Sequence, residues 1–168
     1  PVSWLKPVIS ERIQEAVALA PYTTMGVGGP ADYFFIPENK EELLDVIASC
    51  QNVKQPFLVL GGGSNLVVND AGFRGMVIYL KPNFKAFRML SNAETEALLE
   101  TCPDSELILG CNQSFSKHEL DLEKHVLLYS EAGVVTKALS LFAAREGLSG
   151  LEFACGIPGT IGGALFMN

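Results

Sequence analysis

Pro56-Phe57-Leu58-Val59-Leu60-Gly61-Gly62-Gly63-Ser64-Asn65-Leu66-Val67-Val68 reads as an apolar strand, three glycines, a Ser-Asn pair and a second apolar strand. Residues without side chains leave main-chain N–H groups bare and admit φ > 0, so such a bend can grip a diphosphate at close range. The plainer alternative is a glycine-rich hairpin turn. The residues after the glycines exclude two familiar phosphate sites. A dinucleotide GxGxxG site needs a helix next, and a P-loop needs Gly-Lys-Ser/Thr; neither is present. The phosphate would therefore sit in a strand-to-strand loop, assisted from elsewhere in the chain.

That assistance is sought in a second cluster, Gly156-Ile157-Pro158-Gly159-Thr160-Ile161-Gly162-Gly163-Ala164. Pro158 suits the first position of a short helix, whose N-terminus would offer free amides and partial positive charge. Close packing of a small-residue helix explains Gly162 and Gly163 but not the loop before them.

Upstream of the first bend, Ile9, Ile13, Ala16, Val17 and Ala20 fall at helical spacing and predict a helix over 9–20, stopped by Pro21. Thr23 to Pro30 is a tight loop, and Ala31 to Ile36 a strand closed by Pro37. Glu38 to Cys50 is an amphipathic helix with acids in its first turn. After the bend come a turn at Asn69-Asp70-Ala71-Gly72 and a strand over Met76 to Leu80, giving β-α-β-β-β for the first half. Further on, Ser91-Asn92-Ala93-Glu94 is a capping box opening a helix to Glu100, and Leu107 to Leu109 is a strand. Val126 to Tyr129 is another strand. Val134 to Glu146 is a helix turning Val135, Leu139, Phe142 and Ala143 inward, with Gly147 at its C-terminal cap.

Composition bounds the chemistry. With 168 residues and nearly half of them apolar, the chain is long enough for one domain or two small lobes. No stretch approaches the ~20 apolar residues of a membrane span, so no membrane partner is expected. A net charge of −7 with only 12 Lys and Arg argues against nucleic acid as a partner. Cys50, Cys102, Cys111 and Cys155 lack CxxC spacing and, with only His118 and His125 beside them, make no metal site. They read as buried thiols of a reducing, cytoplasmic protein. His118 and His125 are seven apart and could share a helix face as solvated or hydrogen-bonded side chains.

Three blocks together carry a resemblance: Thr24-Met25-Gly26-Val27-Gly28-Gly29-Pro30-Ala31; Val59 to Leu66; and Gly147-Leu148-Ser149-Gly150-Leu151-Glu152-Phe153 running into Gly156 to Ala164. In content and order they resemble the UDP-N-acetylenolpyruvoylglucosamine reductase family. The resemblance covers both ends of the chain and leaves about residues 83–125 outside it. It implies an α+β, FAD-binding fold of the vanillyl-alcohol oxidase and p-cresol methylhydroxylase type, two lobes with flavin between them. It also implies a step of bacterial peptidoglycan synthesis. NADPH would reduce FAD, which reduces the enolpyruvyl ether of UDP-N-acetylglucosamine to UDP-N-acetylmuramate.

Carried over by motif, the resemblance implies that Gly61, Gly62, Gly63, Ser64 and Asn65, with Leu66, wrap the FAD pyrophosphate, Ser64 and Asn65 adding side-chain donors. Ile157, Pro158, Gly159, Thr160, Gly162 and Gly163 would line the other side. Gly133, in Ala132-Gly133-Val134, matches a Gly-Ala-Gly-Val element near the flavin. A side chain at Gly63 would occupy the ligand's space. The implied organisation is an N-terminal helical segment (1–20), a first FAD-binding lobe (21–81), an insert or extended link (82–125) and an incomplete second lobe (126–168). The family continues past the position of Asn168 into a substrate domain that carries its proton donor, so no catalytic residue is assigned. A small-molecule substrate and a monomer are expected. Thr23-Thr24 stands where the family usually has Asn-Thr. Two other readings stay open: a non-catalytic flavin or nucleotide binder, and a non-covalent flavin oxidase of the same fold group.

Overall fold

β-Branched and aromatic runs build the first sheet. In the computed structural model, which describes residues 2–101, 107–108, 114–115 and 120–167, four strands lie in the order β1-β2-β4-β3: β1 (Gln14–Ala18), β2 (Pro30–Phe35), β3 (Phe57–Leu60) and β4 (Phe73–Tyr79). β1 pairs antiparallel with β2, whereas β4 runs parallel to both β2 and β3. Alternation along β2 and β4 sends Phe35, Met76 and Ile78 to one face and Phe34 and Val77 to the other. Both faces are covered, as parallel strands require. Val46 and Cys50 of α2 (Lys40–Asn52) cover the first, together with Val2, Leu5 and Ile9 from the short helix α1 (Pro7–Ser10) and the segment before it. Asn39 caps α2 by accepting the Glu42 N–H at 2.9 Å.

Three expectations fail in this sheet. The helix over 9–20 is instead α1, β1 and a 3-10 turn, Ala20–Tyr22. Ile13 packs with the first core and Val17 with the second, so residues four apart face opposite sides of the sheet. A helix would put them on one side. Leu66-Val67-Val68 forms no strand. Leu66 and Val68 pack on the second face while Val67 stays 70 % exposed, an in-out-in order that mimics strand alternation. The hairpin alternative also falls. β3 and β4 are parallel, so Gly61 to Gly72 is a crossover that returns the chain to the start of the neighbouring strand, here without a helix.

By contact the chain forms two compact units, Pro1–Lys85, Glu131–Thr136 and Pro158–Asn168 in the first, Ala86–Ser130 and Lys137–Ile157 in the second. They are interleaved in sequence. In the second unit β5 (Phe87–Met89) pairs antiparallel with β8 (Leu128–Ser130), and β6 (Leu107–Ile108) with β7 (Ser114–Phe115). The capping box forms as expected. Before α3 (Asn92–Thr101), Ser91 N–H donates to Glu94 Oε2 at 2.9 Å, and Glu94 N–H to Ser91 Oγ at 3.3 Å. α4 (Thr136–Arg145) buries Leu139 and Ala143 but leaves Val135 40 % exposed before its first turn, against expectation. It ends at Gly147 with φ +71°; Gly147 N–H reaches Ala144 O and Leu148 N–H reaches Ala143 O, a Schellman closure. Ser140 Oγ donates to Leu151 O at 2.8 Å, and Phe87 meets Phe142 edge to face.

Cys50 is fully buried, and burial pushes its thiol up to about 11. Cys155 is exposed, which corrects the reading of it as a buried thiol; Cys102 and Cys111 lie outside the described residues. His125 sits in a turn rather than on a helix, its Nδ1 accepting the Asp121 N–H at 3.1 Å; His118 and Leu109 also lie outside the described residues. Among the described residues no helix is long and apolar enough to cross a membrane.

Candidate functional site

β3 delivers the chain to Gly61 at the end of the sheet, above an aromatic trio. Tyr22 stacks 4.6 Å from Phe34 and 5.1 Å from Tyr79. Burial first, and the neighbouring Tyr22 second, push the Tyr79 phenol up. The loop before β2 braces the bend. Buried Thr23 donates Oγ1–H to Val27 O at 2.8 Å, and Thr24 N–H donates to Gly63 O at 2.9 Å. Gly63 has φ +63°, and a Cβ there would overlap the Tyr22 carbonyl and stand 2.9 Å from Thr23 Cα. Glycine is needed because protein backbone is laid against it. The expectation that a side chain at Gly63 would occupy ligand space is corrected accordingly.

The donors of this bend are open. Among the described residues, no protein acceptor takes the main-chain N–H of Gly61, Gly62, Gly63, Ser64 or Asn65. Main-chain N–H groups are almost always paired where water is excluded. Consecutive unpaired amides at a partly exposed bend have the chemistry to accept an anion.

The second bend differs. Gly159, at φ +118°, accepts the Thr136 N–H at 3.1 Å, and Thr160 forms an antiparallel bridge with Val135. Thr160 is 1 % exposed and precedes α5 (Ile161–Met167), so Pro158 lies three residues outside the helix it was expected to open. The first amides of α5 are all engaged: Ile161 N–H by Val134 O at 2.8 Å, Gly162 N–H by Ala132 O at 2.9 Å and Gly163 N–H by Thr160 Oγ1 at 3.4 Å. The amides of Ile161 to Gly163 are therefore closed to a ligand, against expectation, whereas among the described residues no protein acceptor takes the N–H of Gly159 or Thr160. A Cβ on Gly162 would stand 2.7 Å from that of Ala132, and one on Gly133 would overlap Phe84 O, so both glycines serve close packing.

The two bends nevertheless meet. A Cβ on Gly62 would lie 3.1 Å from Gly159 Cα, and one on Gly61 would overlap Thr160 Oγ1. Ser64 Oγ–H donates to Pro158 O at 3.1 Å. The structure thus brings together Gly61 to Asn65 with Pro158, Gly159 and Thr160. It places Leu66 against the sheet, and Ile157 at the end of the 3-10 turn Glu152–Gly156, with its N–H on Ala154 O. Sequence reasoning missed Thr136, whose buried Oγ1 has no hydrogen-bond partner; a threonine opening an amphipathic helix gives no warning in the sequence.

A family model described as an FAD binding domain matches residues 31–101. Curated relatives include the UDP-N-acetylenolpyruvoylglucosamine reductase of Desulfosudis oleivorans, 36 % identical over 98 % of this chain and 44 % of its own length. That of Geobacter sulfurreducens is 37 % identical over 89 % of this chain and 39 % of its own. The crystal structure of the Thermus caldophilus enzyme superposes with a TM-score of 0.56 at 34 % identity, covering 92 % of this chain and 41 % of that one. The chain spans about two-fifths of the length of the relatives it matches. By sequence over nearly its whole length, and by its FAD-binding α+β fold, this chain is similar to a part of the UDP-N-acetylenolpyruvoylglucosamine reductases.

Proposed function

We propose that this chain holds FAD, as the cofactor-binding part of an NADPH-dependent reductase that converts UDP-N-acetylglucosamine enolpyruvate to UDP-N-acetylmuramate in the cytoplasm. The observation that carries the reading is the row of unpaired amides from Gly61 to Asn65, set against a second bend at Gly159 and Thr160. These residues fit a diphosphate. About four charge-assisted hydrogen bonds at ~1.5–3 kcal/mol each supply most of the free energy of micromolar retention before ordering costs. Bound FAD supplies hydride acceptance from the nicotinamide and donation to the enol ether. The chain's own part is to bind and orient it: Gly61, Gly62, Gly63, Ser64 and Asn65 by main-chain N–H, with Pro158, Gly159 and Thr160 as the facing wall. Gly133, Gly162 and Gly163 support that wall through packing and the amide bonds described above.

Purified chain is expected to carry flavin absorbance, and FAD titrated into stripped protein to show saturable fluorescence quenching. Colourless protein that leaves FAD fluorescence unchanged would remove the basis of the proposal.

A further inference from the structure

Ser64 invites the assumption that its hydroxyl serves the ligand, but that hydroxyl is already engaged. It donates to the carbonyl of Pro158 at 3.1 Å, across 94 residues of sequence. Its seat is shaped for it: a Cβ on Gly159 would stand 2.6 Å from Ser64 Oγ, and the φ of +118° at Gly159 is one that glycine adopts freely. Beside this bond the glycine faces of Gly61 and Gly62 lie against Thr160 and Gly159. Beyond Gly159 the second bend is fixed to the 131–136 segment by the N–H groups of Thr136, Ile161 and Gly162.

We infer that Ser64 is a positioning residue: its hydroxyl latches the Pro158-Gly159 turn against the Gly61–Asn65 bend, so the amide seat is shaped before any ligand arrives. Gly159, required as glycine by its φ of +118°, also leaves room for that hydroxyl. The inference rests on the proposed FAD site for its consequence, while its structural part concerns the ligand-free chain. Pre-forming a site lowers the ordering cost of binding.

The test compares the parent chain with Ser64→Ala and Gly159→Ala, reading amide hydrogen exchange without ligand and FAD affinity by titration. Ser64→Ala is expected to speed exchange of the Ile161 and Gly162 amides and to weaken FAD binding about fivefold, the loss of one neutral hydrogen bond. Gly159→Ala expels the hydroxyl and strains the turn, so it should do the same in the parent background and lose part of that effect in the Ser64→Ala background. Weaker FAD binding with unchanged ligand-free exchange overturns the latch and makes the hydroxyl a direct phosphate ligand. Strictly additive effects of the two substitutions overturn it as well. A parent chain that ignores FAD refutes the proposed function, yet the exchange comparison still decides the latch. If Ser64→Ala fails to fold, Gly159→Ala alone supplies the exchange readout.

Discussion

The two glycine-rich bends look alike in sequence and part ways in their main-chain donors where the second runs into its helix. From Gly61 to Asn65 the N–H groups face no protein acceptor, whereas at Ile161, Gly162 and Gly163 each is taken by the chain itself. Glycine therefore marks two distinct physical needs. One is room for backbone to approach backbone, at Gly63 under Tyr22 and at Gly162 against Ala132; the other is exposure of amides to an anion. The comparison teaches that the donors, not the missing side chains, separate a bend open to a ligand from a bend closed by packing.

Gly63→Ala gives the sharpest attempt to break this distinction. The new methyl meets the Tyr22 carbonyl and Thr23 Cα in a left-handed conformation. Left-handed strain and backbone overlap together should cost about 3 kcal/mol or more. For a chain of this size that is a Tm lower by about 6–12 °C in a melting curve. Were the melting temperature unchanged and only FAD affinity lost, Gly63 would be serving the ligand after all. Gly162→Ala should act more mildly. Its clash with Ala132 costs ~1–3 kcal/mol and is partly offset by better helix propensity, leaving about 1 kcal/mol of destabilisation. FAD affinity should stay within about twofold. A large loss of affinity at unchanged stability would show that the second bend contributes donors too.

Much of this is legible in the sequence alone. The capping box at Ser91, the stop at Gly147 and α2 are local devices, each settled by a few neighbouring residues. Both bends, and the need for them to converge, also come out of residue type and order. What stays hidden is non-local. Whether the amide of Gly162 is free depends on Ala132, thirty residues upstream. The segment 9–20 misleads because Ile13 and Val17 sit at helical spacing, yet each enters a different core across one sheet edge. Leu66 and Val68 mislead in the opposite sense, since a loop that crosses a sheet face alternates as a strand does.

The start of α3 supplies the contrasting case, and the smallest expected effect. There the chain provides its own anion. Glu94 accepts from Arg88 at 2.7 and 3.0 Å and from the Ser91 N–H at 2.9 Å. The Arg88 hydrogen bonds first, and those from Ser91 second, hold its carboxyl down at about 2. A carboxyl depressed on folding adds stability above its unfolded pKa, near 4.3. That contribution disappears as pH falls from there through about 2. Glu94 is exposed, so the effect is screened by salt and modest. An NMR titration of the Glu94 side chain should show the low midpoint, and Glu94→Gln should remove the acid-induced fraying of α3 between pH 5 and 2. A Glu94 midpoint near 4.3 would mean that the carboxylate does not hold the Ser91 amide in solution. The first bend then gains its meaning by difference. Where this chain needs an anion on its amides for its own folding it places a carboxylate beside them, and at Gly61 to Asn65 it leaves the donors without one.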